Sequence, residues 1–386
     1  MISLYKYINN IYNPMILSDA DKSMLLQLDR EYGDLILRVR DEYNEKDILN
    51  MDSEMKKFLD AYYNGEKYFP ILRTNVCKYE TSHIVDDLQR LKSKFIKFNH
   101  CFLSKYYIEV LDRKIKWCKY QIAIHKGIKS EWCTGIPDRS LFEKALELFE
   151  KSEYKNSKEL NRNINASEAK EMIETALKDL GYDWKVSIEP NMLARMNVLP
   201  SKIIRINKSS LFNEADIEGL IAHEIKGHIG RRYWGYKTGL NLFVFGLEHN
   251  STLDEGLAVW NSINLVEHEK PNVMINITLK YIIGYLKYRM DFYELFDYIK
   301  TISEKHNISD EVIFKSIIRS KRESIYMDIM GGKSDDCDYF LGYELVKNMT
   351  DEMRDDILKY NIGYTHINDM QKIKKFLNLN KFIELD

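Results

Sequence analysis

Leu220 to Gly230 reads LIAHEIKGHIG, and its His223, Glu224 and His228 are residue types that hold and use a metal ion. Neutral imidazole and carboxylate are zinc ligands, and a catalytic zinc site takes three protein ligands and keeps a fourth position open. In the common His-Glu-x-x-His arrangement the histidines stand four apart on a helix, about 40° apart around its axis, so both rings reach one ion. Here they stand five apart. On a regular α-helix that is about 140°, which points the rings to nearly opposite faces. A local i to i+5 turn near Lys226 and Gly227 absorbs the extra residue and returns both rings to one side. Gly227 removes a side chain from that distorted turn. The spacing therefore permits a metal site without requiring one. On it, His223 and His228 supply two ligands, and Glu224 is directed at water in the open position as a general base.

A third ligand would come from LEHNSTLDEGLAVW, where Asp254 and Glu255 open a second helix whose Leu257, Ala258 and Trp260 are apolar. An acid beside such a face needs a partner. A metal ion is one, and the field of a helix N-terminus is the other. Recognition of a free substrate carboxylate calls for a fixed basic group. Arg231 and Arg232 follow the histidines by one turn, and Arg195, Arg319, Arg322 and Lys333 are further candidates; each also reads as a solvated surface charge. His249 lies in a loop-like stretch and reads as structural or solvated. His83, His100, His125, His268, His306 and His366 show no ligand spacing.

The elements that must position these residues are mostly helical. From about Leu25 to Glu150, LLQLDREYGDLILRVRDEY and FLSKYYIEVLDRKIKWCKYQIAIHKG repeat apolar residues at three- and four-residue intervals. Basic and aromatic residues mix in the second, but its period and interleaved acids predict a packed helix, not a nucleic-acid surface. The polar KNSKELNRNINAS around Asn156 to Asn165 is the linker expected to divide a helical N-terminal region, 1–160, from a catalytic domain, 161–386. Next, Asn165 as N-cap, Glu168 three residues on and Gly181 as the stop bound a helix. WKVSIEP and SKIIRIN alternate as short strands. Asn213 and the acids Glu214, Asp216 and Glu218 start the helix that carries the histidines. Further on, VMINITLKYIIGYLKYRM is interrupted by Lys280, Lys287 and Arg289, so it reads as a buried helix and not a membrane span. IMGGKSDD is a turn. The expected fold class is α+β, predominantly helical, with a small sheet just before the histidine helix.

Composition excludes less. The 386 residues, 45% hydrophobic and 30% charged with a net charge of -2, describe an ordinary globular protein with no field favouring nucleic acid or membrane. Five cysteines without a Cys-x-x-Cys pair, and an N-terminus unlike a secretory signal, point to reduced thiols and a cytoplasmic location. Oligomeric state is not legible.

Taken together, HEIKGH, the RRYWG after it and LDEGLAVW about 30 residues on resemble the microtubule-associated tyrosine carboxypeptidase family and its bacterial relatives, marked by His-Glu-x-x-x-His and a Gln-Glu-Gly-Leu-Ala type motif. ALKDLGYDWKV, ARMNV and IIRINKSSLFNEADIEGLIAHEI precede them in the family's order. RSKRESIYMDIMGGKSDDCDYFLG follows, with Arg319, Lys321, Arg322, Gly332, Asp336, Tyr339 and Gly342 where the family has a basic run and an aromatic-glycine block. The resemblance spans about Asn161 to Gly342. It implies a gluzincin-like core, a Zn2+ cofactor held by His223, His228 and Glu255, and Glu224 as base. It also implies a carboxypeptidase acting on a peptide or protein C-terminus, with Arg322 contacting the substrate carboxylate. Tyr339 either donates a hydrogen bond to the developing oxyanion or is a core tyrosine. Two positions depart from the pattern. Asp254 replaces Gln or Glu, as a competing ligand or as a group that orients one, and Asp335 replaces a Lys. The His-Glu-x-x-Gly-His spacing is also similar to dipeptidyl peptidase III, whose Glu-Glu-x-x-Ala-Glu block LDEGLAVW does not match. A zinc endopeptidase or dipeptidyl peptidase, or a non-catalytic zinc-binding regulatory protein, are the alternatives.

Overall fold

The computed structural model describes residues 15–42, 48–73, 82–125, 137–154, 161–190, 192, 195–199, 201–266, 272–321, 327–328 and 336–382. Among the described residues, five helices come first: α1 (Asp19–Glu42), α2 (Met51–Tyr63), α3 (Ser82–Lys97), α4 (Ser104–His125) and α5 (Arg139–Lys151). Their apolar stripes are those of the sequence pattern. Leu88, Leu91 and Phe95 of α3 and Tyr107 and Leu111 of α4 are fully buried, and Phe95 stacks on Tyr107 with centroids 4.1 Å apart. Each such side chain contributes about 1.5–3 kcal/mol by leaving water.

Helix α6 (Ala166–Asp179) begins in the capping box expected of Asn165 and Glu168, and Gly181 follows at φ 70, a left-handed position that suits glycine. The predicted strands form with one addition. β1 (Lys185–Glu189), β2 (Met196–Leu199) and β3 (Ile203–Asn207) make a sheet of order β1-β3-β2, with β1 parallel and β2 antiparallel to β3. Val186 pairs with Ile204 and Met196 with Ile206, and all four are buried against Ala169, Ile173 and Leu177 of α6. This small core also takes Ile225 and Ile229, so the sheet braces one side of the histidine segment.

That segment enters through α7 (Glu214–Leu220), capped by a reciprocal Asn213 and Asp216 box. From Ile221 to Ile229 the chain is π-helical, then returns to α-helix in α8 (Gly230–Lys237). The short α9 (Asn241–Phe245) leads to α10 (Asn250–Asn264), which carries LDEGLA. Helix α10 begins at Asn250, so Asp254 and Glu255 stand in its second turn. The helix N-terminus therefore does not account for them. Helices α11 (Val273–Leu286), α12 (Phe292–Ser303), α13 (Asp310–Lys321), α14 (Cys337–Val346), α15 (Asp351–Tyr360) and α16 (Met370–Asn380) complete the chain. Helix α11 is the buried apolar helix expected, and no helix among the described residues is long and apolar enough to cross a membrane.

Three glycines set how closely the site helices pack. A Cβ on Gly256 of α10 would overlap the backbone of Gly342 in α14, and one on Gly342 would overlap Thr252 O. A Cβ on Gly227 would lie 3.0 Å from Ala258 Cβ. The π-helix, α10 and α14 therefore meet nearly backbone to backbone. The N-terminal helices do not stand apart: buried residues of α1, α3 and α4 share one cluster with Leu242, Leu253 and Leu257, and Phe58 of α2 and Phe149 of α5 share another with α11 to α13.

Candidate active site

The extra residue in HEIKGH is accommodated by a π-helix longer than the single turn expected, nine residues from Ile221 to Ile229. Residues five apart are hydrogen-bonded neighbours in such a helix, so His223 and His228 come to the same side. Their ring centroids lie 5.0 Å apart. Glu255 meets them from α10. Its Oε2 is 3.6 Å from His223 Nε2 and 3.7 Å from His228 Nε2, and the three donor atoms all lie within 4.8 Å of one another.

These contacts exceed hydrogen-bond range, and the Oε2 atom is buried without a hydrogen-bond partner. Ligand atoms about 2.0–2.2 Å from one zinc centre sit roughly 3.3–3.6 Å apart in a tetrahedron, close to the two nitrogen to oxygen separations seen here. The residues fit the metal that the resemblance implies.

Each ring has a partner on its Nδ1 side and turns Nε2 toward Glu255. His228 Nδ1 is 2.8 Å from Asp254 Oδ2, so the carboxylate accepts there and Nε2 faces Glu255. Asp254 Oδ1 takes Arg231 Nη1 at 3.2 Å. Asp254 thus meets the Nδ1 side of the His228 ring and Arg231, and is not one of the three clustered donors. His223 Nδ1 lies 3.3 Å from Ser262 Oγ, which itself donates to Ala258 O at 2.9 Å, leaving a lone pair for the imidazole N–H.

The charge balance favours a cation. Burial pushes the His228 imidazolium down, but Asp254 and Glu255 outweigh it and raise its pKa to about 10. Burial works against both carboxylates too, yet His228 holds Asp254 and Glu255 below their ordinary range.

Glu224 is half-buried, lies close enough to act electrostatically on His228 and Tyr339, and makes no hydrogen bond among the described residues. Tyr339, on α14, is brought to the site: its ring stacks on His223 at 6.5 Å with an interplanar angle of 11°. Burial and the negative charge of Glu255 push its phenol well above the ordinary value, so it stays a donor. Arg319 Nη2 lies 3.3 Å from the Tyr339 hydroxyl while Arg319 Nε binds Asp336 Oδ1 at 3.0 Å.

Of the other sequence candidates, Arg195 lines a cavity beside His223, and several fall elsewhere. Arg322, Lys333 and Asp335 lie outside the described residues. Arg231 is fully buried and donates to the carbonyls of Ile357, Ile362 and Asn250, so it ties α8 to the chain's last third and cannot meet a substrate. His249 stands at the N-cap position of α10, its ring in a cluster with Arg113 and Glu248.

A cavity of about 200 Å³ opens beside His223 and Tyr339. Arg162, Asp216 and Lys280 line it, and none of the three was singled out as a site residue from the sequence. Lys280 was visible only as a break in an apolar run, and Arg162 sits in a polar stretch without period. Ser262 had a faint signal, two helical turns after Glu255 on the same face.

Two imidazoles, a convergent carboxylate and a second free carboxylate beside a cavity make the kind of site that hydrolases use. Comparison with known proteins identifies which kind. Residues 134–380 match the family described as microtubule-associated tyrosine carboxypeptidase, and the chain belongs to that family; it is a peptidase of the carboxypeptidase type. The match begins ahead of the linker around residue 160. No curated protein gives a match to the chain.

Proposed function

We propose that this chain is a zinc-dependent carboxypeptidase that hydrolyses the C-terminal peptide bond of a peptide or protein. The observation that carries it is the convergence of His223 Nε2, His228 Nε2 and Glu255 Oε2, with the last buried and unpaired. These three residues would hold zinc, which supplies Lewis-acid polarisation of the scissile carbonyl and a more acidic water. Glu224 takes the proton of the attacking water and delivers it to the leaving amine. Tyr339, its hydroxyl oriented by Arg319, donates to the carbonyl oxygen as negative charge develops there. Asp254 and Ser262 keep the two imidazoles in place throughout. The free thiols of Cys101, Cys118 and Cys337 are compatible with a cytoplasmic site of action.

The test combines metal analysis with turnover of matched peptides bearing free or amidated C-termini. About one zinc per chain is expected, with cleavage confined to the free acid. Glu224→Gln should retain the metal and lower kcat by roughly 10²–10⁴-fold, the usual contribution of a general base. Equal cleavage of the amidated peptide would replace the carboxypeptidase reading with an endopeptidase. Undiminished activity of Glu224→Gln would remove the proposed base.

A further inference from the structure

The cavity beside His223 carries a charge cluster that the catalytic steps above do not use. Arg162 Nε lies 2.7 Å from Asp216 Oδ2, while Arg195 places Nη2 3.0 Å from Oδ1 and Nη1 2.9 Å from Oδ2. Two guanidinium groups thus share one carboxylate, and one positive charge is left over after internal pairing. Asp216 is buried and locked into the capping box of α7, so the pair is fixed in place. Asp216 is the one hydrogen-bond partner of Arg162 among the described residues, which leaves both Nη groups of that fork unused. The Arg195 guanidinium lies 5.4 Å from the centroid of Phe212, which steadies it.

We propose that Arg162 and Arg195, held by Asp216, bind the α-carboxylate of the substrate's C-terminal residue, and that this cavity receives that single residue. The proposal rests on the carboxypeptidase reading. A guanidinium fork matches a carboxylate better than any other side chain, and partial burial strengthens the pairing. The cavity is about 200 Å³ and opens to solvent, so it can admit a terminal residue. Val259 and Ile277 supply an apolar wall for that residue's side chain. Of the other nearby cations, Arg231 is committed to the core, Arg319 to Asp336 and Tyr339, and Lys280 to the face of Tyr339, 3.5 Å from its centroid.

The test uses the full chain carrying Glu224→Gln, loaded with zinc, so that binding is read without turnover. Two peptides differing only in a free or amidated C-terminus are titrated calorimetrically. On this background the free acid is expected to bind roughly 10- to 100-fold more tightly, the range for hydrogen bonds to a charged group. Adding Arg162→Gln or Arg195→Gln should bring the ratio close to one. Arg162→Lys keeps a charge on Asp216 but loses the fork, and should recover only part of the preference. A ratio that survives both Gln variants overturns the assignment and leaves the carboxypeptidase reading standing. No acid preference even before the arginines are changed overturns both. A ratio lost in Lys280→Met but kept in the arginine variants would move the anchor to Lys280 and also overturn the assignment. Should either Gln variant melt early, the Arg162→Lys ratio decides: an undiminished preference rejects the fork.

Discussion

The carboxylate of Asp29 and the Oε2 atom of Glu255 are withdrawn from solvent under opposite hydrogen-bonding regimes. Asp29 Oδ1 accepts from the Tyr107 hydroxyl at 2.6 Å and from Leu242 N at 3.1 Å; Oδ2 accepts from Asn241 N at 2.8 Å and Asn241 Nδ2 at 3.1 Å. Every lone-pair direction is answered, and the result ties α1 to α4 and to the start of α9. Glu255 Oε2 is buried too, but it faces two ring nitrogens at distances that bond neither. A saturated buried acid holds elements together. An unsaturated one, set opposite two imidazoles, leaves an acceptor that the surrounding described residues do not answer.

Breaking the saturated region should affect stability and not chemistry. Asp29→Ala leaves two backbone N–H groups and a phenol unanswered in the core and is expected to cost about 2–4 kcal/mol. Urea unfolding should show the lower midpoint, while kcat per folded molecule stays unchanged; a loss of kcat in the folded variant would erase the contrast.

The unsaturated region should respond to metal instead. Zinc at about 100 times its Kd is expected to stabilise the wild-type chain by about 2.7 kcal/mol, read as a rise in Tm over chelator-treated protein. Glu255→Gln should abolish that rise. Asp254→Asn should keep it but require roughly 10–100-fold more zinc, because His228 Nδ1 loses its carboxylate acceptor. A zinc response unaltered in both variants would mean the ion binds elsewhere.

A third polar cluster sharpens the comparison through pH. Burial and the neighbouring Arg113 and His366 push the His249 imidazole down to about 4; Glu109 opposes this, and Glu248 lies 3.6 Å from its ring. Between pH 6.5 and about 4 the unfolded chain therefore binds a proton that the folded ring refuses. Stability from this group is present above pH 6.5 and is lost as pH falls toward 4. His249 has φ 58, a left-handed conformation that Asn tolerates, so His249→Asn should flatten this part of the pH–stability curve without disturbing α10. An unchanged slope would place the titration in other groups.

The sequence determined what is local. Capping residues Asn165 and Asn213 fixed two helix starts because a side-chain oxygen three residues from an orphan N–H acts without tertiary help. Apolar periodicity marked the long helices, and alternation found β1 and β3. The five-residue spacing of His223 and His228 called for i to i+5 geometry because backbone rotation per residue is a local property. Linkage across the chain was not legible in the residues themselves. LDEGLAVW looked like a helix start until α10 was seen to begin at Asn250, which left Asp254 on His228 Nδ1 and Glu255 facing both imidazoles. Arg231, adjacent to the motif, turned into the core, while Arg162, 54 residues before its carboxylate's capping box closes, joined the cavity. Which charges face a site depends on helices that cross at Gly256 and Gly342, and that close approach is decided by packing alone. Residue type and spacing thus set what chemistry each segment was able to perform. Tertiary structure chose the partners, since a buried polar group is worth keeping only where another segment, distant in sequence, answers it or a ligand does.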